Sequence, residues 1–130
     1  NPEDARKMHE WIKEKGIKTV GLLGTGFTME RDFYKGRLKD KHGINVITPN
    51  EADRKIVHDV IYNELVHGKI VRASIAEYLR IIKQLGAQGA EAVILGCTEI
   101  GMLVKQDETE VPLLDTTAIH AQKAVERAVG

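Results

Sequence analysis

The sequence predicts an α/β protein, with a doubly wound, mainly parallel four-stranded sheet, helices on both faces, and one domain over residues 1–130. Three observations lead there. Short apolar runs alternate with longer amphipathic segments in the order β-α-β-α-α-β-α-β-α. The run Ala92 to Leu95 is apolar at every position, as a strand buried on both faces requires. Glycines and capping residues stand at most of the junctions between these segments. Right-handed crossovers and the usual doubly wound ordering then give strand order 2-1-3-4.

Each element has its own justification. Asp4 to Lys15 carries Ala5, Met8, Trp11 and Ile12 at helical spacing, and Gly16 follows as a stop. Ile17 to Leu23 reads as the first strand, followed by the small, hydroxylated turn Gly24-Thr25-Gly26-Phe27-Thr28 and a helix from Met29 to Lys41. Gly43 closes that helix, and Ile44 to Ile47 is the second strand. Thr48, Pro49 and Glu51 have the spacing of an N-cap, N1 proline and N3 glutamate, ahead of a helix with Ile56, Val57, Val60, Ile61 and Leu65 on one face.

Gly68 interrupts the pattern. A further helix from about Ile70 buries Ile75, Tyr78, Leu79, Ile82 and Leu85 and is expected to end at Gly86 and Gly89. The third strand leads into Gly96-Cys97-Thr98-Glu99. A short helical piece from Ile100 to Val104, a polar loop and a last strand from Val111 to Leu114 come next. Asp115 or Thr116 is placed to cap a terminal helix packed through Ala118, Ile119, Ala121, Ala124, Val125 and Ala128.

Composition narrows the function. Nineteen basic residues balance nineteen acidic ones, so no global field draws the chain to nucleic acid or to an anionic membrane. No apolar run approaches the roughly 20 residues of a membrane-spanning helix, and no signal-peptide pattern is present, so the expected location is cytoplasmic. A single cysteine rules out an intrachain disulfide and a multi-cysteine zinc site. The five histidines show no metal-binding spacing, and no metal is expected. The glycines at 21, 24 and 26 run G-x-x-G-x-G, not the G-x-G-x-x-G of a dinucleotide site.

In strand order 2-1-3-4 the switch point falls between the first and third strands, where open parallel sheets bind ligands. It brings the Gly24 to Thr28 turn beside Cys97, Thr98 and Glu99. A lone cysteine at a strand end is ordinarily a small buried residue. Here it stands where a helix begins, which favours a thiolate, and next to groups able to hold a carboxylate. Glu99 either orients the thiol and shares its proton or is simply a first-turn acid. Thr25 and Thr28 are also candidate helix caps.

Three motifs add a resemblance: G-L-L-G-T-x-F-T-M-E-x-D-F-Y from Gly21 to Tyr34, I-x-x-E-L-x-x-G from Ile61 to Gly68, and A-V-I-L-G-C-T-E-I from Ala92 to Ile100. With D-T-T-x-I-H-A from Asp115 to Ala121, they resemble the aspartate/glutamate racemase family, closest to its aspartate and broad-specificity branch. The resemblance implies a cofactor-independent enzyme of two similar α/β domains, each presenting one proton-transfer group to opposite faces of a bound amino acid. Inverting a stereocentre needs two such groups, and donors around the carboxylate to stabilise developing charge.

By this resemblance Cys97 is the acid/base group of the second domain and Glu99 its orienting or proton-coupled neighbour. Thr98, Thr25 and Thr28 bind the α-carboxylate, and His67 and Lys69 are the cationic candidates for the substrate side chain. The substrate is then a small amino acid or dicarboxylate. The first domain is expected to be missing, so the chain reads as a C-terminal half, inactive as a monomer, whose partner is that domain or a second copy of the chain. The alternatives are a non-catalytic carboxylate-binding or assembly module, and a decarboxylase or isomerase of the same superfamily.

Overall fold

The computed structural model describes residues 10, 12–26, 29, 43–97 and 99–115. Strands β1 (Thr19–Leu23), β2 (Asn45–Ile47), β3 (Ala92–Leu95) and β4 (Leu113–Asp115) form one sheet in the order β2-β1-β3-β4. Every pairing is parallel, so both the predicted class and the predicted order hold. Among the described residues the helices bounded at both ends are α1 (Glu51–Asn63), α2 (Arg72–Ala87) and the single turn α3 (Ile100–Leu103). Residues 12–14 are helical as well. The expected helices over Met29 to Lys41 and after Asp115 lie outside the described residues, as does most of the one over Asp4 to Lys15.

Side-chain alternation explains how both faces become covered. Val20, Leu22, Ala92, Ile94 and Leu114 point to one side, where they pack with Ile12 and Ile44. Leu23, Val93 and Leu95 point to the other, against Val57, Val60 and Ile61 of α1 and Tyr78, Ile81, Ile82 and Leu85 of α2. Ile94 and Ile82 are fully buried. Each such side chain contributes about 1.5–3 kcal/mol by leaving water.

The ends of the helices differ from the sequence expectation in two places. The cap of α1 is Asn50, not Thr48: its Oδ1 accepts from the Asp53 N–H at 2.9 Å. Pro49 is therefore outside the helix, where its carbonyl accepts from Arg54 Nη1 at 2.9 Å. In α2, Gly86 does not end the helix but lies inside its last turn. A Cβ at Gly86 would stand 3.0 Å from Val111 Cγ2, so the glycine admits the segment leading to β4 rather than breaking the helix. The stop is left to Gly89, as expected. The polar loop also holds a single 3-10 turn, Gln106–Glu108, and β4 begins two residues later than the sequence suggests.

Candidate active site

The register of the sheet sets the site. Leu23 pairs with Leu95, and Leu95 pairs with Asp115, so β1, β3 and β4 all reach the same carboxyl edge. The Gly96 N–H donates to the Leu23 carbonyl at 2.7 Å, which makes residues 24 and 96 neighbours where the two strands give way to loops. Thr25, Cys97 and Asp115 are thus delivered to one end of the sheet, as the switch-point argument requires.

Cys97 is half-buried against the α1–α2 side of the core. Its Sγ–H donates to Glu99 Oε2 at 2.7 Å. Burial pushes the thiol up to about 11, and the Glu99 carboxylate adds to the rise; the backbone N–H groups of Glu99 and Ile100 pull the other way and lose. This corrects the expected helix-terminal thiolate. A helix of one turn has too few aligned peptides to outweigh burial together with a carboxylate in direct contact. A thiol raised this far favours the S–H form at neutral pH, with its hydrogen directed to Glu99 Oε2.

Tyr78 lies beneath this pair, fully buried, with its hydroxyl donating to the Val57 carbonyl at 2.7 Å. Its ionisation is pushed strongly upward by burial first, then by the charges of Cys97 and Glu64. Both groups therefore act on one phenol, and Glu64 opens the turn that carries the cationic candidates. The Glu64 carbonyl accepts from the N–H groups of His67 and Lys69 at 3.0 and 2.9 Å, and its carboxylate accepts from Ser74 Oγ at 2.6 Å. Gly68 takes the left-handed conformation that this turn needs, with φ of 74°. His67 and Lys69 are both exposed on the turn.

Thr25 is half-buried, and its carbonyl accepts from the Met29 N–H at 3.0 Å, which starts a helix at Gly26. Thr28 and Thr98 lie outside the described residues. Two side chains at this edge have partners the sequence reading did not give; one of them, Asp115, expected there as a helix cap, is the last residue of β4. Asp115 packs against Gly101, where a Cβ would collide with its carboxylate. His58 of α1 accepts from the Gly26 N–H through Nδ1 at 2.7 Å. No local signal marks His58 as a partner of a residue so distant in sequence; only the fold brings them together. Beside it, an open cleft of about 1030 Å³ is lined by Gly26, Asn50, Glu51, Ala52, Arg54, Lys55 and His58. It lies on the β1–α1 side of the edge and does not include Cys97. Among the described residues no cluster of three or more His, Cys, Asp or Glu has metal-binding geometry. No described helix is long and apolar enough to cross a membrane.

Residues 6–124 match the family model described as Asp/Glu/hydantoin racemase. A structure titled as a putative Asp/Glu racemase from Yersinia pestis superposes with a TM-score of 0.86 at 50% identity, over 98% of this chain and 55% of that one. An aspartate racemase homologue from Pyrococcus horikoshii OT3 gives 0.81 at 34% identity, with the same two coverages. An uncharacterized protein from the pnlA 3′ region of Pectobacterium carotovorum subsp. carotovorum is 33% identical over 118 residues, 88% of this chain and 76% of that protein. The chain thus spans about half the length of the first two solved relatives.

Proposed function

Because the chain belongs to the Asp/Glu/hydantoin racemase family, we propose that it is the cysteine-bearing half of a cofactor-independent amino-acid racemase. The observation that carries this reading is the Cys97–Glu99 pair, a protonated thiol held by a carboxylate at the carboxyl end of the central strand pair. Racemisation asks for a group of this kind on one face of Cα and a second on the other. The share of the solved relatives that this chain covers supports placing the second group outside it.

The protons balance as follows. A base on the opposite face takes the α-proton, and the Cys97 Sγ–H gives its own to the face it adjoins. Cα is inverted, the opposing group is protonated, and Cys97 is left as thiolate. The enantiomer runs the same path in reverse. For repeated turnover in one direction the proton must return to Cys97, and Glu99, in direct contact, is the relay. The loops carrying Thr25, Thr28 and Thr98 hold the α-carboxylate and stabilise charge as the proton departs. The turn carrying His67 and Lys69 offers a side-chain carboxylate the Lys69 charge and the His67 ring as a donor, so aspartate and glutamate are the substrates of choice.

The test is deuterium uptake at Cα of aspartate and glutamate in D₂O, using this chain joined to the domain that completes it. Inversion of either enantiomer, and uptake into the enantiomer whose α-hydrogen faces Cys97, are expected to disappear in Cys97→Ala. Inversion that survives the change refutes Cys97 as the proton carrier. Calorimetry on the 130-residue chain alone distinguishes the second reading, since binding of a dicarboxylate without any exchange in the completed protein marks a binding module.

A further inference from the structure

His58 has no part in the proton transfer, yet it ties α1 to the loop that follows β1. The Gly26 N–H belongs to the first turn of a helix, where no carbonyl four residues back can accept it. His58 Nδ1 takes that role at 2.7 Å. The ring is braced from the next turn of α1 by Tyr62, with centroids 4.6 Å apart and planes tilted by 39°. The approach also accounts for glycine at position 26, since a Cβ there would stand 3.2 Å from Nδ1. A ring nitrogen that accepts carries no proton, so the imidazole must be neutral with its hydrogen on Nε2.

We propose that His58 is a positioning residue for the carboxylate-binding loop: in its neutral Nε2–H form it fixes Gly26, and through it Thr25, at the carboxyl edge of the sheet. Protonation at Nδ1 puts a second N–H against the Gly26 N–H, and the tie is lost. Among the described residues, the charged groups around the ring are Glu51, Arg54 and Lys55, which line the same cleft, and Asp59, paired with Lys55 at 2.8 Å. From the loop side the Gly26 N–H is what meets it. The substrate part of this role rests on reading the loop as the α-carboxylate subsite; the tie itself does not.

The two parts are separated by experiment. In the ¹⁵N-labelled chain, the imidazole spectrum is expected to show the Nε2–H tautomer, with a downfield Gly26 amide that titrates with the His58 ring. A ring protonated on Nδ1, or a Gly26 amide unchanged by His58→Ala, overturns the tie. Aspartate affinity, measured by calorimetry on the same chain, is expected to fall about five- to tenfold in His58→Ala and His58→Gln. His58→Asn, whose amide oxygen falls near the Nδ1 position, is expected to restore most of the loss. Equal losses in all three variants, or none, refute the positioning role. A wild-type chain that binds no dicarboxylate refutes the subsite reading instead, and leaves the Gly26 titration to decide the tie.

Discussion

Replacing Glu99 by glutamine removes a charge from the Cys97 thiol while leaving an oxygen able to accept its hydrogen. Burial and the Glu99 carboxylate hold the thiol at about 11, against an ordinary 9.0. Burial is the larger cause and persists in the variant, so the shift recovered must be less than that whole rise. At pH 7 a group titrating near 11 is about one part in ten thousand thiolate. Glu99→Gln therefore raises that fraction by less than about 100-fold. A less basic thiolate is also a weaker nucleophile, with a Brønsted slope of about 0.4–0.5, which cuts the gain in alkylation rate to less than about tenfold. The assay is iodoacetamide labelling followed by mass spectrometry from pH 6 to 11. Wild-type labelling is expected to rise through pH 10 without levelling, and the variant to label about two- to tenfold faster at pH 7, with an earlier plateau. Equal or slower labelling of the variant refutes the coupling between the two groups.

Other outcomes follow from the packing and the caps. Asn50→Ala is expected to cost about 1 kcal/mol in urea denaturation, and Thr48→Ala close to nothing, because the Asp53 N–H is taken by Asn50. Ile82→Ala, at a fully buried position of α2, is expected to cost about 2–5 kcal/mol and lower the midpoint without changing the slope. Gly101→Ala should destabilise by about 1–3 kcal/mol through its collision with the Asp115 carboxylate, and Asp115→Ala in the same chain should recover much of it. A Gly101→Ala loss that Asp115→Ala leaves untouched would place the strain elsewhere.

The strands and their order were legible because their cause is local and strong. A continuous apolar run such as Ala92 to Leu95 has few uses other than a doubly covered strand, and parallel strands joined by helices leave few orders open. Helix ends were less legible. Thr48-Pro49-x-Glu51 has good capping chemistry, but Asn50 with Asp53 offers an equally good set two residues later, and only the packing of α1 chooses between them. Gly86 misled for a related reason: its small size answers to Val111, a contact that no window on the sequence contains. At the candidate site, residue types suggested Cys97 and Glu99 as neighbours, and they touch. The state of the thiol was not legible, since it depends on a balance between burial, one carboxylate and two backbone donors. His58 reaches the edge through a tertiary contact alone.

The pairing of Leu23 with Leu95 constrains how this chain can change length over evolutionary time. Along β3 the side chains alternate between two cores, so deleting one residue ahead of Gly96 would exchange their faces and draw Cys97 back by about 3.3 Å. An insertion between Lys105 and Glu110 exchanges no faces along β3, because that segment is largely exposed and tied to β4 mainly through Gln106. Homologous chains are therefore expected to keep a fixed count from Ala92 to Glu99 and to vary freely in the loop before β4.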